Sequence, residues 1–320
     1  MTDYFDRPLR AGDRVGLIGP SGAIREAELH PAELARRVAA LGFEPVLGDS
    51  VGAVYGYLSG DDALRAADIH RMFADATVRA VFCVRGGYGT PRLLDRLDWA
   101  LLREHPKPLI GYSDITGLHL AIHARCGYPS LHALMPSSTK ALADDYSRGA
   151  LVRALTGSEP LGCLPVPADT AAPVCLQGGA AEGIMVGGNL SLIASLCGTP
   201  YMPDLQGKIL FIEDIGEKVY AIDRMLTHLR LAGAFAACAA VVFGGFTDCA
   251  QDDAAFAFTL EEVIADVVAP AGKPILFGVQ AGHLCPTHAL PLGVRWRVDA
   301  DAGTLTCLES MFCAHPPSTT

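Results

Sequence analysis

Residues 108–114 read Pro-Leu-Ile-Gly-Tyr-Ser-Asp, an apolar strand pattern that runs through Gly111 into Ser113. Apolar residues at helical spacing follow at Ile115, Leu118 and Ile122. A serine on such a strand-to-helix elbow has its hydroxyl pushed out of the sheet, near helix N-terminal amides that favour developing negative charge. That arrangement suits nucleophilic acyl transfer. The segment is not the G-x-S-x-G of common hydrolases, because Asp114 and Ile115 stand where that pattern would end. A Ser or Asp before a helix is also an ordinary N-cap, worth about 1 kcal/mol, so the residues alone leave both roles open.

A nucleophilic serine needs a base, and the base needs an orienting group. Ten histidines are available. His283 stands in a glycine-bounded loop, Gly282-His283-Leu284-Cys285-Pro286, just after an apolar strand pattern. Scaffold-held loops are where catalytic groups concentrate, although a hydrogen-bonded turn histidine fits equally well. His119 and His123 lie four apart on the helix after Ser113, but HLAIH lacks the internal glutamate of a metalloprotease and shows no third ligand. His283, Cys285 and His288 form the other combination with metal-ligand residue types. We expect no metal. For the orienting carboxylate, Glu213 closes the apolar run KILFIED, and Glu217 follows four residues later as its competitor. Either could instead be a solvated turn charge or a carboxylate at a helix start.

The segment RGGYG (85–89) ends another strand pattern, and its adjacent glycines, Gly86 and Gly87, let backbone N–H groups approach a ligand closely. An oxyanion hole needs such donors. Neither GLIGPSG (16–22) nor RGGYG matches the G-x-G-x-x-G of dinucleotide sites, and no cofactor is expected.

These loops need strands to carry them. Buried-strand patterns stand at 14–19, 45–48, 80–84 and 108–111, separated by helical patterns from 31 to 41, at 61–75 and at 91–97. Strands alternating with helices predict a mostly parallel sheet covered on both faces, with function in the loops at strand carboxyl ends, here 19–22, 85–89 and 111–114. The pattern changes after about residue 137. A segment with five prolines and glycines between 157 and 167 reads as a crossover. Beyond it come EGIMVGGN, a helix at 190–196, strands at 208–214, 239–246 and 274–278, helices at 222–232 and 260–268, and a terminal hairpin turning at 301–303. The final AHPPSTT reads as a frayed tail. The expected class is α/β, with a domain over 1–150, a crossover over 151–175 and a second domain over 176–320.

Composition narrows the partners. The chain has 320 residues, a net charge of −10 and no basic block, which argues against phosphate-backbone binding to nucleic acid. The uncharged stretches 231–246 and 183–203 are too short or interrupted by Gly187, Gly188 and Asn189, so no membrane span is expected. The beginning, MTDYFDRPLRAGD, lacks the basic and apolar regions of a secretory signal. Ten scattered cysteines without a CxxC read as reduced thiols in a cytoplasmic protein.

Together, VRGGYGTPRLLDRLD (84–98), LIGYSDITGLHLAIH (109–123), GGNLSLIASLCGTPYMP (187–203), FIEDIGEKVYAIDRML (211–226) and the GH loop before ALPLG resemble the LD-carboxypeptidases, a serine peptidase family, over nearly the whole chain. The resemblance implies a Ser-Glu-His triad of Ser113, Glu213 and His283, with Glu217 the weaker alternative for the carboxylate. It also implies an oxyanion hole from the amides of Asp114 and of Gly86 or Gly87. The implied fold is an N-terminal α/β domain carrying the serine and a β-rich, barrel-like C-terminal domain with helices carrying the other two residues. The implied reaction removes the terminal D-alanine from a murein tetrapeptide during cell-wall recycling. Two other readings stand beside it: a self-immunity-type relative that cleaves peptidyl-nucleotide toxins, and a non-catalytic α/β binding protein. An aromatic able to stack on adenine would favour the former, and neither tryptophan, Trp99 or Trp296, lies in an expected site loop. We further expect a homodimer.

Overall fold

The computed structural model describes residues 5–25, 27–250 and 258–312. The first half runs β1 (Arg14–Ile18), α1 (Pro31–Ala39), β2 (Glu44–Leu47), α2 (Asp62–Ala74), β3 (Val78–Cys83), α3 (Trp99–Glu104), β4 (Leu109–Gly111), α4 (Thr116–Cys126), β5 (Ser130–His132), α5 (Thr139–Ala143) and α6 (Asp145–Thr156). The second half runs β6 (Gly162–Cys163), β7 (Val174–Gln177), β8 (Ala180–Asn189), α7 (Leu190–Leu196), β9 (Ile209–Ile215), α8 (Val219–Leu231), α9 (Ala234–Ala237), β10 (Ala240–Thr247), α10 (Leu260–Val267), β11 (Ile275–Phe277), β12 (Leu290–Leu292), β13 (Arg295–Asp299) and β14 (Thr304–Cys307).

Two sheets result. The first has the order β12-β5-β4-β3-β1-β2 and is parallel except where β12 pairs antiparallel with β5. The second has the order β6-β14-β13-β8-β9-β10-β11-β7, with β8 to β11 parallel and the outer strands antiparallel. The apolar runs explain the parallel strands: Val15, Leu17 and Ile18 in β1 and Ile209 to Ile212 in β9 are fully buried, as strands covered on both faces must be. Helix ends follow their residues. Asp61 caps α2 by accepting the Leu64 N–H at 2.8 Å, and Gly127 ends α4 in the left-handed region.

The expected α/β class with a β-rich second sheet is what the chain adopts. Three local expectations differ. The predicted helix at 91–97 is a single 3₁₀ turn, Thr90–Leu93. The stretch after 137 carries α5 and α6, and the proposed crossover contains β6 and the start of β7. The expected tail, AHPPSTT, lies outside the described residues. Trp296 is a core residue whose indole N–H donates to the Pro291 carbonyl at 2.9 Å. Among the described cysteines none forms a disulfide; Cys83 and Cys238 are buried as expected, whereas Cys163, Cys175 and Cys285 are exposed. Among the described residues no helix is long and apolar enough to cross a membrane.

The two halves interlock behind the GYSD turn. β12, from the second half, joins the edge of the first sheet. The Asn189 N–H, at the end of β8, donates to Thr116 Oγ1 at 2.9 Å, at the start of α4. Gly188 leaves no room between them: a Cβ there would stand 2.3 Å from Thr116 Oγ1.

Candidate active site

Ser113 follows β4 and begins the turn into α4, with φ at +66°. A non-glycine residue in this region is strained by roughly 1–2 kcal/mol, and such strain concentrates at functional sites. The sharp turn allows close approach of the 84–89 loop. A Cβ on Gly86 would meet the Ser113 Cβ at 2.8 Å, so only glycine fits there. Among the described residues the amides of Gly86 and Gly87 donate no hydrogen bond within the chain.

Asp114, expected only as an amide donor, does more with its side chain. It is 1% exposed, and its Oδ2 accepts the Ser21 hydroxyl at 2.6 Å and the Thr90 N–H at 2.8 Å. Thr90 Oγ1 donates to the Asp114 carbonyl at 2.5 Å. One carboxylate thus ties together the three loops at the ends of β1, β3 and β4. Burial pushes its pKa up, and the bonds from Ser21 and Thr90 oppose that shift. The buried acid directly after the serine is the signal that could have found this role.

Glu213 sits in β9 and is fully buried. Its Oε2 accepts the His283 Nδ1–H at 2.7 Å, and its Oε1 has no hydrogen-bond partner among the described residues. Burial raises the Glu213 pKa, while the His283 hydrogen bond lowers it. Gly282, at φ +103°, makes the contact possible: a Cβ there would lie 2.5 Å from Oε2. The His283 carbonyl accepts the Thr247 hydroxyl at 2.7 Å, and its ring lies 4.8 Å from the Tyr112 ring. With Nδ1 donating to the carboxylate, Nε2 is the free basic nitrogen.

Two cavities meet at Ser113. The smaller, about 230 Å³, is lined by Ser113, His283, Tyr112, Gly86, Gly87 and Arg85, among others. The larger, about 350 Å³, is lined by Ser113, Gly87, Tyr88, Asn189, Asp214 and Glu217, among others. Ser113 and His283 therefore share a cavity wall, although no hydrogen bond joins their side chains among the described residues. Catalytic bonds are often long before substrate binds. Asp214 is held by Asn189 Nδ2 at 2.7 Å and by the Ser191 N–H and hydroxyl at 3.0 and 2.8 Å. Glu217 is half-buried, and the Ser191 hydroxyl donates to its Oε1 over a long 3.5 Å.

His119, His123 and His288 line neither of these two cavities. His119 is buried, donates from Nε2 to the Gly111 carbonyl at 2.9 Å and accepts from Ser130 at 2.8 Å; burial pushes its pKa down to about 4. It supports the strand before the serine. His123 is likewise lowered to about 4 by burial. His288 contacts Tyr146 and the Pro165 carbonyl and lines a separate cavity of about 270 Å³ that contains none of Ser113, Glu213 or His283. Among the described residues no three His, Cys, Asp or Glu side chains form a metal-binding group. The aromatic lining the larger cavity is a tyrosine, Tyr88, and not either tryptophan. This residue is exposed, and its ring lies 5.9 Å from that of Tyr57.

Comparison with known proteins adds descent to geometry. Residues 15–133 match a model of the LD-carboxypeptidase N-terminal domain, and residues 182–298 match its C-terminal counterpart. A probable murein peptide carboxypeptidase of Bacillus subtilis is 39% identical over 300 residues, 92% of this chain and 91% of that protein. The solved muramoyltetrapeptide carboxypeptidase from Oxalobacter formigenes superposes with a TM-score of 0.78 at 28% identity, covering 92% of this chain and 97% of the other. The wild-type microcin C7 self-immunity protein MccF superposes with a TM-score of 0.85 over 97% of this chain and 99% of its own, at 24% identity, a likeness of fold alone.

Proposed function

The chain belongs to the LD-carboxypeptidase family and is a serine-type carboxypeptidase, and on that premise we propose that it removes the terminal D-alanine from murein tetrapeptides through Ser113, His283 and Glu213. The observation that carries the residue assignment is the pairing of His283 with buried Glu213 in the wall of the cavity that also holds strained Ser113.

In this reading His283 Nε2 takes the Ser113 proton as Oγ bonds to the carbonyl carbon of the L-centre. Glu213 holds the imidazole in that tautomer and stabilises the imidazolium. The amides of Asp114 and of Gly86 or Gly87 receive the oxyanion. His283 then gives its proton to the departing D-alanine nitrogen as the C–N bond breaks. Water hydrolyses the acyl-enzyme, its proton passing through His283 back to Ser113. No metal or cofactor enters. The carboxylates of Asp214 and Glu217, with no Lys or Arg among the described residues lining the larger cavity, suit the ammonium of a diamino acid on the acyl side.

The proposal includes the division into a serine-bearing domain over 1–150, a crossover over 151–175 and a domain over 176–320, a division the two family-model matches support. Cytoplasmic recycling of cell-wall peptides and a homodimer also belong to it. A second reading, cleavage of peptidyl-nucleotide toxins, is favoured by Tyr88, an exposed aromatic in the wall of the larger cavity on which a nucleobase can stack. Competition between a murein tetrapeptide and aspartyl sulfamoyl adenosine decides between them. The proposal expects a kcat/KM larger by at least an order of magnitude for the tetrapeptide, and the reverse order overturns it.

A further inference from the structure

The segment TPRLLDR (90–96) directly follows RGGYG and carries two arginines four residues apart. Its first residues form the Thr90–Leu93 turn, which Asp114 pins by accepting the Thr90 N–H at 2.8 Å. Pro91, in that turn, lines the larger cavity at Ser113. Pro91 and Ser195 also line a further cavity of about 510 Å³, together with Arg92, Arg96, Asp62 and Asp95, among others. The larger cavity therefore continues past these two residues into a second chamber with guanidinium groups in its wall. In acyl transfer the residue that protonates the departing nitrogen faces the leaving group. His283 lines neither of these two chambers, so both belong to the acyl side.

Three guanidinium groups converge on one carboxylate here. Fully buried Arg65 donates to Asp62, Arg92 donates to it at 2.9 Å, and Arg96 Nε stands 3.9 Å from it. One carboxylate compensates one of the three charges. Asp95 is the other carboxylate in the cavity wall, so these groups carry one more positive charge than negative. Arg65 and Arg92 are engaged by Asp62, whereas the exposed side chain of Arg96 makes no hydrogen bond among the described residues. A guanidinium with its donors unused matches a carboxylate through two parallel hydrogen bonds.

In a murein tetrapeptide the residue before the diamino acid is a glutamate joined through its side-chain carboxyl, which leaves its α-carboxylate free. That carboxylate lies about seven bonds, or roughly 9 Å in an extended chain, from the scissile carbonyl. A compact cavity of about 350 Å³ is about 9 Å across, so the group reaches the junction with the second chamber. We propose that Arg96, beside Arg92, binds this α-carboxylate, and that the second chamber is an acyl-side anion subsite. The proposal rests on the murein tetrapeptide reading and adds to it a residue that distinguishes peptides with a free carboxylate at this position from those in which it is amidated.

The test uses the full chain and two tetrapeptides that differ only at the glutamate, one with the free α-carboxylate and one with the α-carboxamide. Wild type is expected to prefer the acid. Arg96→Gln is expected to lower kcat/KM on the acid by about 5- to 20-fold, mostly through KM, the scale of a charge-assisted hydrogen bond at a partly exposed site. The amide is expected to change by less than about threefold. Arg96→Lys keeps the charge without the fork and is expected to retain part of the preference. Equal losses on both peptides in Arg96→Gln, or an unchanged acid-to-amide ratio, overturn the proposal. A wild type that cleaves both equally well overturns it and leaves the carboxypeptidase reading standing. A wild type that cleaves neither overturns both.

Discussion

Replacing Glu213 by glutamine separates the charge of this carboxylate from its shape. Oε2 takes the His283 N–H at 2.7 Å and Oε1 has no hydrogen-bond partner among the described residues, both in a fully buried setting. Glutamine can keep its oxygen towards His283 and leave its NH₂ unpartnered, at a cost of about 1–3 kcal/mol. Alternatively the NH₂ turns to Nδ1, which moves the ring proton to Nε2 and removes the base. In either orientation the imidazolium loses its buried counter-charge. The corresponding carboxylate-to-amide change in a serine protease triad costs about 10⁴ in kcat, so the expected loss here is about 10²–10⁴. The pH dependence of stability should change as well. A carboxyl whose folded-state pKa is raised supplies stability at low pH that is lost as pH rises through that value. Glutamine has no such loss, so the melting temperature of the variant relative to wild type is expected to rise as pH rises through that value. Glu217→Gln is expected to cost less than about tenfold, because its side-chain hydrogen bond with Ser191 is a long one. The assay is kcat from mass-spectrometric release of D-alanine, with a thermal melt of each protein. Glu217→Gln proving the more damaging, or Glu213→Gln keeping more than a tenth of wild-type kcat, refutes the assignment of the carboxylate.

Ser113→Ala is expected to lower kcat by about 10⁴–10⁶ while the protein still folds, since only a hydroxyl is lost; fluorophosphonate labelling should disappear with it. Gly282→Ala forces a methyl to 2.5 Å from Glu213 Oε2 at a φ that L-residues avoid. Its expected result is a fall in kcat of about tenfold or more together with a destabilisation of about 1–3 kcal/mol, read by denaturant titration. Incubation with EDTA is expected to leave turnover unchanged, because nucleophile, base and oxyanion donors are all protein groups in this account. Loss restored only by zinc would redirect attention to His119, His123 and the 283–288 loop.

Much of the scaffold is legible locally. β1, β3, β4, β9 and β10 are apolar runs that end at glycine or at a charge, and the elbow at Ser113 is written as strand, glycine, serine, helix. The loop glycines are equally readable at Gly86 and Gly282, where close approach leaves no room for a side chain. What stayed hidden depends on partners far along the chain. β12 is three residues containing a proline, and only pairing with β5, more than 150 residues away, makes it a strand. The Thr90–Leu93 turn replaces a longer helix where Asp114 pins Thr90 through two hydrogen bonds. The edge strands β6 and β7 lie in proline- and glycine-rich sequence that reads as loop. Tyr88 and Arg85 gain their positions in the cavity walls only once β3 and β4 are neighbours.

A serine enzyme that cuts the L,D bond before a terminal D-alanine is identified by its products. Wild type and Ser113→Ala are each incubated with a murein tetrapeptide, with its all-L isomer at the terminal residue, and with a pentapeptide ending in D-alanyl-D-alanine, and the products are read by mass spectrometry. Tripeptide and free D-alanine are expected from the tetrapeptide with wild type alone, and neither control is cut at a comparable rate. Release from the D,D bond, or tripeptide formed equally well by Ser113→Ala, would contradict it.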